Sequence, residues 1–115
     1  MPDLETSIRP WGQYQKFYQE HGVWVKRVEV NPHARLSLQK HQHRSEKWVV
    51  VSGHGKAIVN EVEIPVSAGS VVDVPLGAIH RICNIDDKPL IFIEVATGDQ
   101  LTEEDIIRLQ DDYKR

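Results

Sequence analysis

The sequence lacks most of the features that would set it apart from ordinary water-soluble proteins. Its 115 residues contain one cysteine, Cys83, so no internal disulfide can form. No apolar run approaches the roughly 20 residues needed to cross a bilayer, and the opening Met-Pro-Asp-Leu-Glu-Thr does not read as a secretory signal. Basic charge is not in excess either: 14 Lys and Arg against 17 Asp and Glu give a net charge of −3. That balance excludes a strongly basic nucleic-acid or membrane-surface binder. Low-complexity tracts, linkers and repeats of solenoid length are absent. A single domain spanning 1–115 is expected, cytoplasmic, with neither nucleic acid nor membrane as partner.

What the chain does contain is a rhythm of short β-rich runs. Residues 23–30 alternate, and runs at 35–41, 47–52, 56–59, 62–66, 71–74, 81–84 and 90–96 follow. Between them stand turn residues such as Asn31-Pro32, Ser52-Gly53-His54-Gly55, Asn60-Glu61, Ala68-Gly69 and Pro75-Leu76-Gly77. Short strands at this spacing predict an all-β sandwich or barrel. The tail departs from the pattern. Thr102 followed by Glu103, Glu104 and Asp105 reads as an N-cap with acids in the first turn, which predicts a short helix over 103–110.

Histidines concentrate where chemistry is expected. In Gln39-Lys40-His41-Gln42-His43, period two puts Arg35, Ser37, Gln39, His41 and His43 on one face and Leu36 and Leu38 on the other. Parity alone leaves open whether the polar face meets solvent or points into a barrel, where its groups would need partners or a metal. The neighbours bear on that choice. Glu46 follows His41 by five residues and Gly53 follows Glu46 by seven, while Gly69, Pro75, Gly77, His80 and Asn84 form G-x5-P-x-G-x2-H-x3-N.

These spacings resemble the two signature motifs of the cupin superfamily, G-x5-H-x-H-x3–4-E-x6-G and G-x5-P-x-G-x2-H-x3-N. The second is matched throughout. In the first, Gln39 stands at the first His position and His33 replaces the opening Gly, so the turn before the strand must be built differently. The resemblance implies a double-stranded β-helix barrel, here closed by the short C-terminal helix. It also implies one divalent metal held by Gln39, His41, Glu46 and His80. Four mixed N/O donors suit zinc or another divalent first-row ion. A second register, with His41 and His43 as the ligand pair, is also open, although Glu46 and Gly53 then lose their motif spacing.

The flanks narrow the resemblance. Arg9-Pro10-Trp11-Gly12, the stretch from Ala34 to Gln39, the run His43-Arg44-x-Glu46-x-Trp48 and the tail from Thr102 to Tyr113 are similar to type II phosphomannose isomerases. In that family this cupin usually follows a nucleotidyltransferase domain making GDP-mannose. No Gly-rich nucleotide loop stands in this sequence, so guanylyltransferase activity is not expected. The Gln-x-His-x4-Glu set with a distant His is also similar to the zinc site of type I phosphomannose isomerases.

The implied function is interconversion of mannose 6-phosphate and fructose 6-phosphate, supplying mannose for GDP-mannose and polysaccharide synthesis. A metal on the sugar O1/O2 oxygens would stabilise the developing enediolate, and a base must reach the C1/C2 proton. His43, Arg44 and Lys47 are the catalytic candidates, His43 as the base. Arg9, Arg35 and Arg44 are the substrate-binding candidates, because guanidinium forks suit phosphate. Lys47 departs from the His common at its position. Two other functions stay open: another metal cupin enzyme acting on a sugar or nucleotide sugar, and a non-catalytic sugar-binding or regulatory cupin. Gln39 in place of the first His counts against an iron oxygenase. A homodimer is expected through the segment 13–30, which covers an otherwise open strand edge. Trp11, Trp24, Trp48, Phe17 and Phe92 read as packing residues in the core or at the dimer face.

Overall fold

Alternating apolar and polar residues make a strand stable when one face can be buried, and this chain uses that rule along most of its length. The computed structural model describes residues 5–114; Met1–Leu4 and Arg115 lie outside the described residues. The described residues form β1 (Thr6–Arg9), β2 (Gly12–Glu20), β3 (Val23–Val30), β4 (Leu38–Lys40), β5 (Arg44–Ser52) and β6 (His54–Val59). β7 (Val62–Ser67), β8 (Val71–Val74), β9 (His80–Asn84), β10 (Leu90–Gly98) and β11 (Ile107–Gln110) complete the set. One antiparallel sheet runs β1-β2-β3-β10-β5-β8 and the other β11-β4-β9-β6-β7.

The inward faces of both sheets meet in one core. Val28, Val30, Trp48, Val50, Val72 and Phe92 come from the first sheet, and Ala57, Val66 and Ile82 from the second. Burying side chains of this size contributes roughly 1.5–3 kcal/mol each. Cross-strand register sorts the interior into layers. Val30 faces Leu90, then Val28 faces Phe92, which in turn faces Val50. One step further along the strands the layer turns polar: Lys26 faces Glu94, and Glu94 faces Trp48. The barrel is therefore apolar at one end and charged at the other. Asn84 ties off the apolar end by donating to the carbonyls of Val30, Asn31 and Lys88.

Two motif positions explain their residue type. Gly53 has φ +95, and a Cβ there would stand 2.6 Å from the Pro89 carbonyl oxygen. His33, where the motif has Gly, takes φ 58, the left-handed conformation that glycine adopts freely. Its ring contacts Asp87 at 2.6 Å. At this turn a histidine therefore holds a left-handed backbone.

Three expectations need correction. No helix forms over 103–110: Thr102 to Ile106 is a strap of turns, and Ile107–Gln110 is a strand. An eight-residue helix is marginal by itself, and here its capping residues are used in tertiary contacts while β11 covers the open edge of β4. The run at 35–41 is not one continuous strand. Arg35 bridges Cys83 and Gln39 pairs with His80, four residues against three, so the chain bulges before β4 and the parity of Arg35 is lost. Residues 13–30 are not the sheet edge either. β3 lies between β2 and β10, and among the described residues β1 pairs with Gly12 to Gln15, while Phe17 and Tyr18 further along β2 are exposed. Among the described residues no helix is long and apolar enough to cross a membrane.

Candidate functional site

The polar end of the barrel collects side chains from five strands and the strap. β4 supplies Gln39, the following turn His41, β5 Arg44 and Glu46, β9 His80, β10 Glu94, and β3 Trp24 and Lys26. His41, Glu46 and His80 are all buried, and one donor atom from each lies within 4.8 Å of the other two. The two imidazole rings sit 4.9 Å apart. His41 Nδ1 lies 2.6 Å from the Asp105 carbonyl oxygen and His80 Nδ1 lies 2.9 Å from that of Ala78. A carbonyl only accepts, so each Nδ1 carries the proton and each Nε2 keeps its lone pair. Burial pushes both imidazoles below the ordinary histidine range, against the pull of the Glu46 carboxylate, so both are neutral near pH 7. Gln39 faces His80 across the sheet and donates its amide NH₂ to Ser37 Oγ at 3.0 Å, so its carbonyl oxygen is the atom it could offer a metal. Two neutral imidazoles, a carboxylate and an amide oxygen fit a divalent first-row ion.

A buried charge network adjoins this set. Arg44 donates through Nε to Glu46 at 2.8 Å and through Nη2 to His41 Nε2 at 3.2 Å, and Trp48 donates to the other Glu46 oxygen at 2.9 Å. A metal on His41 and Glu46 would replace the contacts from Arg44. Burial works to raise the Glu46 carboxyl, but the Arg44 guanidinium and the two histidines hold it down to about 2. Glu94 behaves in the opposite sense. Burial, with the negative Glu46 beside it, pushes Glu94 up to about 8, and Trp24 Nε1 donates to it at 2.9 Å. The two carboxyls therefore titrate as a pair, with the surroundings favouring the charged form of Glu46 and the neutral form of Glu94.

The strap completes the wall. Thr102 accepts from Arg44 Nη1, and the Asp105 carboxylate accepts from the backbone amides of Gln42 and His43 at 2.9 Å each. Glu103 binds Lys26 Nζ at 2.8 and 2.9 Å and Lys16 Nζ at 3.3 Å. Burial opposes the charge on Glu103, but the two ammonium groups outweigh it and keep its carboxyl below the ordinary range.

A cavity of about 120 Å³ opens over these groups. Of the residues singled out in the sequence, Arg9, Gln39, Arg44, Glu46 and His80 line it, and His41 joins them through Glu46 and His80. Three others are not brought there. His43 is partly exposed, 3.5 Å from Asp99, because β4 has ended and the chain is turning into β5; the His41–His43 ligand pair does not form. Lys47 points outward toward Asp73, since Glu46 and Trp48 hold the inward phase of β5. Arg35, displaced by the bulge, pairs with Asp112 at the surface.

Sequence reasoning missed Lys26, Glu94 and Glu103, and assigned Trp24 and Trp48 to packing alone. A signal was available. Lys26 falls in the apolar phase between Trp24 and Val28, and Glu94 falls in that phase between Phe92 and Ala96. A charged residue in the buried phase of a strand needs a partner, and these two face each other across β3 and β10.

Residues 3–111 match the family described as mannose-6-phosphate isomerase C-terminal. The xanthan biosynthesis protein XanB of Xanthomonas campestris pv. campestris is 42% identical over 107 residues, which are 93% of this chain and 23% of XanB. The alginate biosynthesis protein AlgA of Pseudomonas aeruginosa is 40% identical over 93% of this chain and 22% of its own length. The chain thus spans less than a quarter of these curated relatives. Among solved structures, the capsular polysaccharide assembling protein CapF of Staphylococcus aureus superposes with a TM-score of 0.80 at 24% identity, covering 94% of this chain and 34% of CapF. A cupin-2 domain from Rhodospirillum rubrum gives 0.76 at 21% identity, covering 91% and 80%. These likenesses show the fold, the double-stranded β-helix that the strand rhythm and the paired motifs imply.

Proposed function

From the premise that this chain belongs to the mannose-6-phosphate isomerase C-terminal family and has the cupin fold, we propose that it is a metal-dependent isomerase interconverting mannose 6-phosphate and fructose 6-phosphate. The observation that carries this reading is the convergence of His41, Glu46 and His80 within 4.8 Å of one another, beside a cavity rich in cationic side chains. The names of the relatives, xanthan and alginate biosynthesis proteins, favour a role in supplying mannose units for polysaccharide.

Gln39, His41, Glu46 and His80 would hold one divalent ion, zinc. When bound, that ion supplies Lewis-acid polarisation of the sugar's C1 and C2 oxygens. Arg44 and Arg9 bind and orient the substrate from the cavity wall. Proton transfer falls to Glu94 rather than to His43 or Lys47. Glu94 lines the cavity, abuts Glu46 and is held by Trp24. A carboxyl poised near the working pH can both take and return a proton. Exposed Phe17 and Tyr18 on β2 favour the expected homodimer, and the cytoplasm is the expected location.

The test is proton exchange. Metal-replete protein with mannose 6-phosphate in deuterated water is expected to wash out the C2 proton or carry it to C1, as followed by NMR, and chelated protein is expected to do neither until metal returns. Glu94→Gln is expected to retain its metal and lose about 100-fold or more in turnover. Metal-replete protein that binds the sugar phosphate without turnover or exchange would overturn the isomerase reading in favour of a binding module.

A further inference from the structure

The cavity is lined by charges of both signs: Arg9, Lys26, Arg44 and Arg81 with Glu46, Glu94 and Glu103, and Arg108, which pairs with Asp111. Arg44 is committed to Glu46. Lys26 is the unusual member: its side chain is 5% exposed, and its ammonium meets one carboxylate, that of Glu103. Lys16, outside the lining itself, reaches the same carboxylate. Aromatic faces support both cations. Lys26 Nζ lies 4.1 Å from the ring centres of Trp24 and Tyr14, and Lys16 Nζ lies 4.4 Å from that of Trp24.

Two ammonium groups on one carboxylate leave one positive charge in excess, at a corner where Lys26 is buried while Lys16 and Glu103 still reach solvent. A phosphate monoester carries about −1.5 to −2 at neutral pH and offers three acceptor oxygens, so it suits this pair better than Glu103 does. We propose that Lys16 and Lys26 form the seat for the substrate's phosphate, and that Glu103 is an internal competitor which occupies the seat until phosphate displaces it. The proposal rests on the sugar-phosphate reading of the cavity. It replaces Arg35, which lies outside, as a phosphate contact. The movement required is small. Thr102 and Asp105, on either side of Glu103, are pinned to Arg44 and to the amides of Gln42 and His43. Rotation of one side chain clears the seat while the strap stays in place.

Calorimetric titration of the full chain with inorganic phosphate, mannose 6-phosphate and mannose at low salt tests this. Glu103→Gln is expected to bind phosphate and mannose 6-phosphate about tenfold tighter than the wild type, while melting at a lower temperature. Lys16→Ala and Lys26→Met are expected to weaken both anions about tenfold and leave mannose unchanged. Lys26 is buried, so Lys16→Ala and Glu103→Gln decide the matter if Lys26→Met does not fold. An ion pair with only a structural role predicts a lowered melting temperature for Glu103→Gln with unchanged phosphate affinity, and that result overturns the seat. Failure of the isomerase reading looks different: phosphate binding follows this pattern of variants while no proton exchange occurs.

Discussion

Arg44 shows how strongly one side chain can depend on burial. Both it and Glu46 are withdrawn from water, so the pair gains little over apolar packing, yet removing one member strands the other. Arg44→Ala is therefore expected to destabilise the fold by about 3–5 kcal/mol, measured by urea unfolding, rather than only to raise KM. For the histidines, the pinned Nδ1 atoms and the lowered pKa values put the loss of metal on acidification below the ordinary histidine value of about 6.5. His80→Ala is expected to lose the ion altogether; metal analysis showing full stoichiometry in that variant would remove His80 from the ligand set. Glu103 provides a pH test away from the ligands. Its folded pKa lies below its unfolded value, so its contribution is present above about 4.5 and is lost as pH falls through the lower folded value. The melting-temperature gap between wild type and Glu103→Gln should accordingly narrow on acidification. Of these residues, Gln39, His41, Glu46 and His80 were legible as motif spacing. Glu94 and Lys26 were legible only as charges out of phase with their strands.

Among the elements, the strap and β10 set the geometry of the site. Asp105 reaches it twice, holding the Gln42 and His43 amides through its carboxylate and His41 through its carbonyl oxygen. Asp105→Ala leaves that carbonyl in place but frees the strap. It is expected to cost about 1–2 kcal/mol by urea unfolding and to lower metal affinity about tenfold, since the support of His41 loosens. On β10, a Cβ at Gly98 would collide with the His43 carbonyl oxygen and the Arg44 Cα. Gly98→Ala must therefore push β5 away and is expected to cost about 3 kcal/mol or more. The strap was read from sequence as a helix because Thr102, Glu103 and Asp105 carry the residue types of a helix start. The Glu103 and Asp105 side chains serve equally well as partners for Lys26 and for the Gln42 and His43 amides, while Thr102 gives its backbone carbonyl to Arg44, and local pattern does not tell the two uses apart.

Across the whole molecule, the two sheets divide the interior into an apolar end, which stabilises the fold, and a charged end that is left for chemistry. Exposed Ile8, Phe17 and Tyr18 offer apolar surface on β1 and β2, at one end of the larger sheet. A second copy pairing there is expected to give a dimer at micromolar concentration by sedimentation. Phe17→Glu is expected to shift it toward monomer, and a monomeric wild type would remove the proposed pairing.

The sequence by itself determined the period-two strands, their turns, the all-β class and the spacing of the four candidate ligands, because these depend on neighbours a few residues apart. It also carried the family likeness, from Arg9 to Tyr113. Tertiary structure alone decided which of two equal faces turned inward at Gln39, that a bulge would carry Arg35 out, and that His43 and Lys47 would miss the cavity. It likewise decided that the tail would pair with β4 instead of coiling. The reason is one of range: strand formation rewards local alternation, whereas the fate of a charged side chain depends on which distant charge folding brings beside it. Lys26 comes to stand across from Glu94 and to bind Glu103 only after the chain has closed on itself.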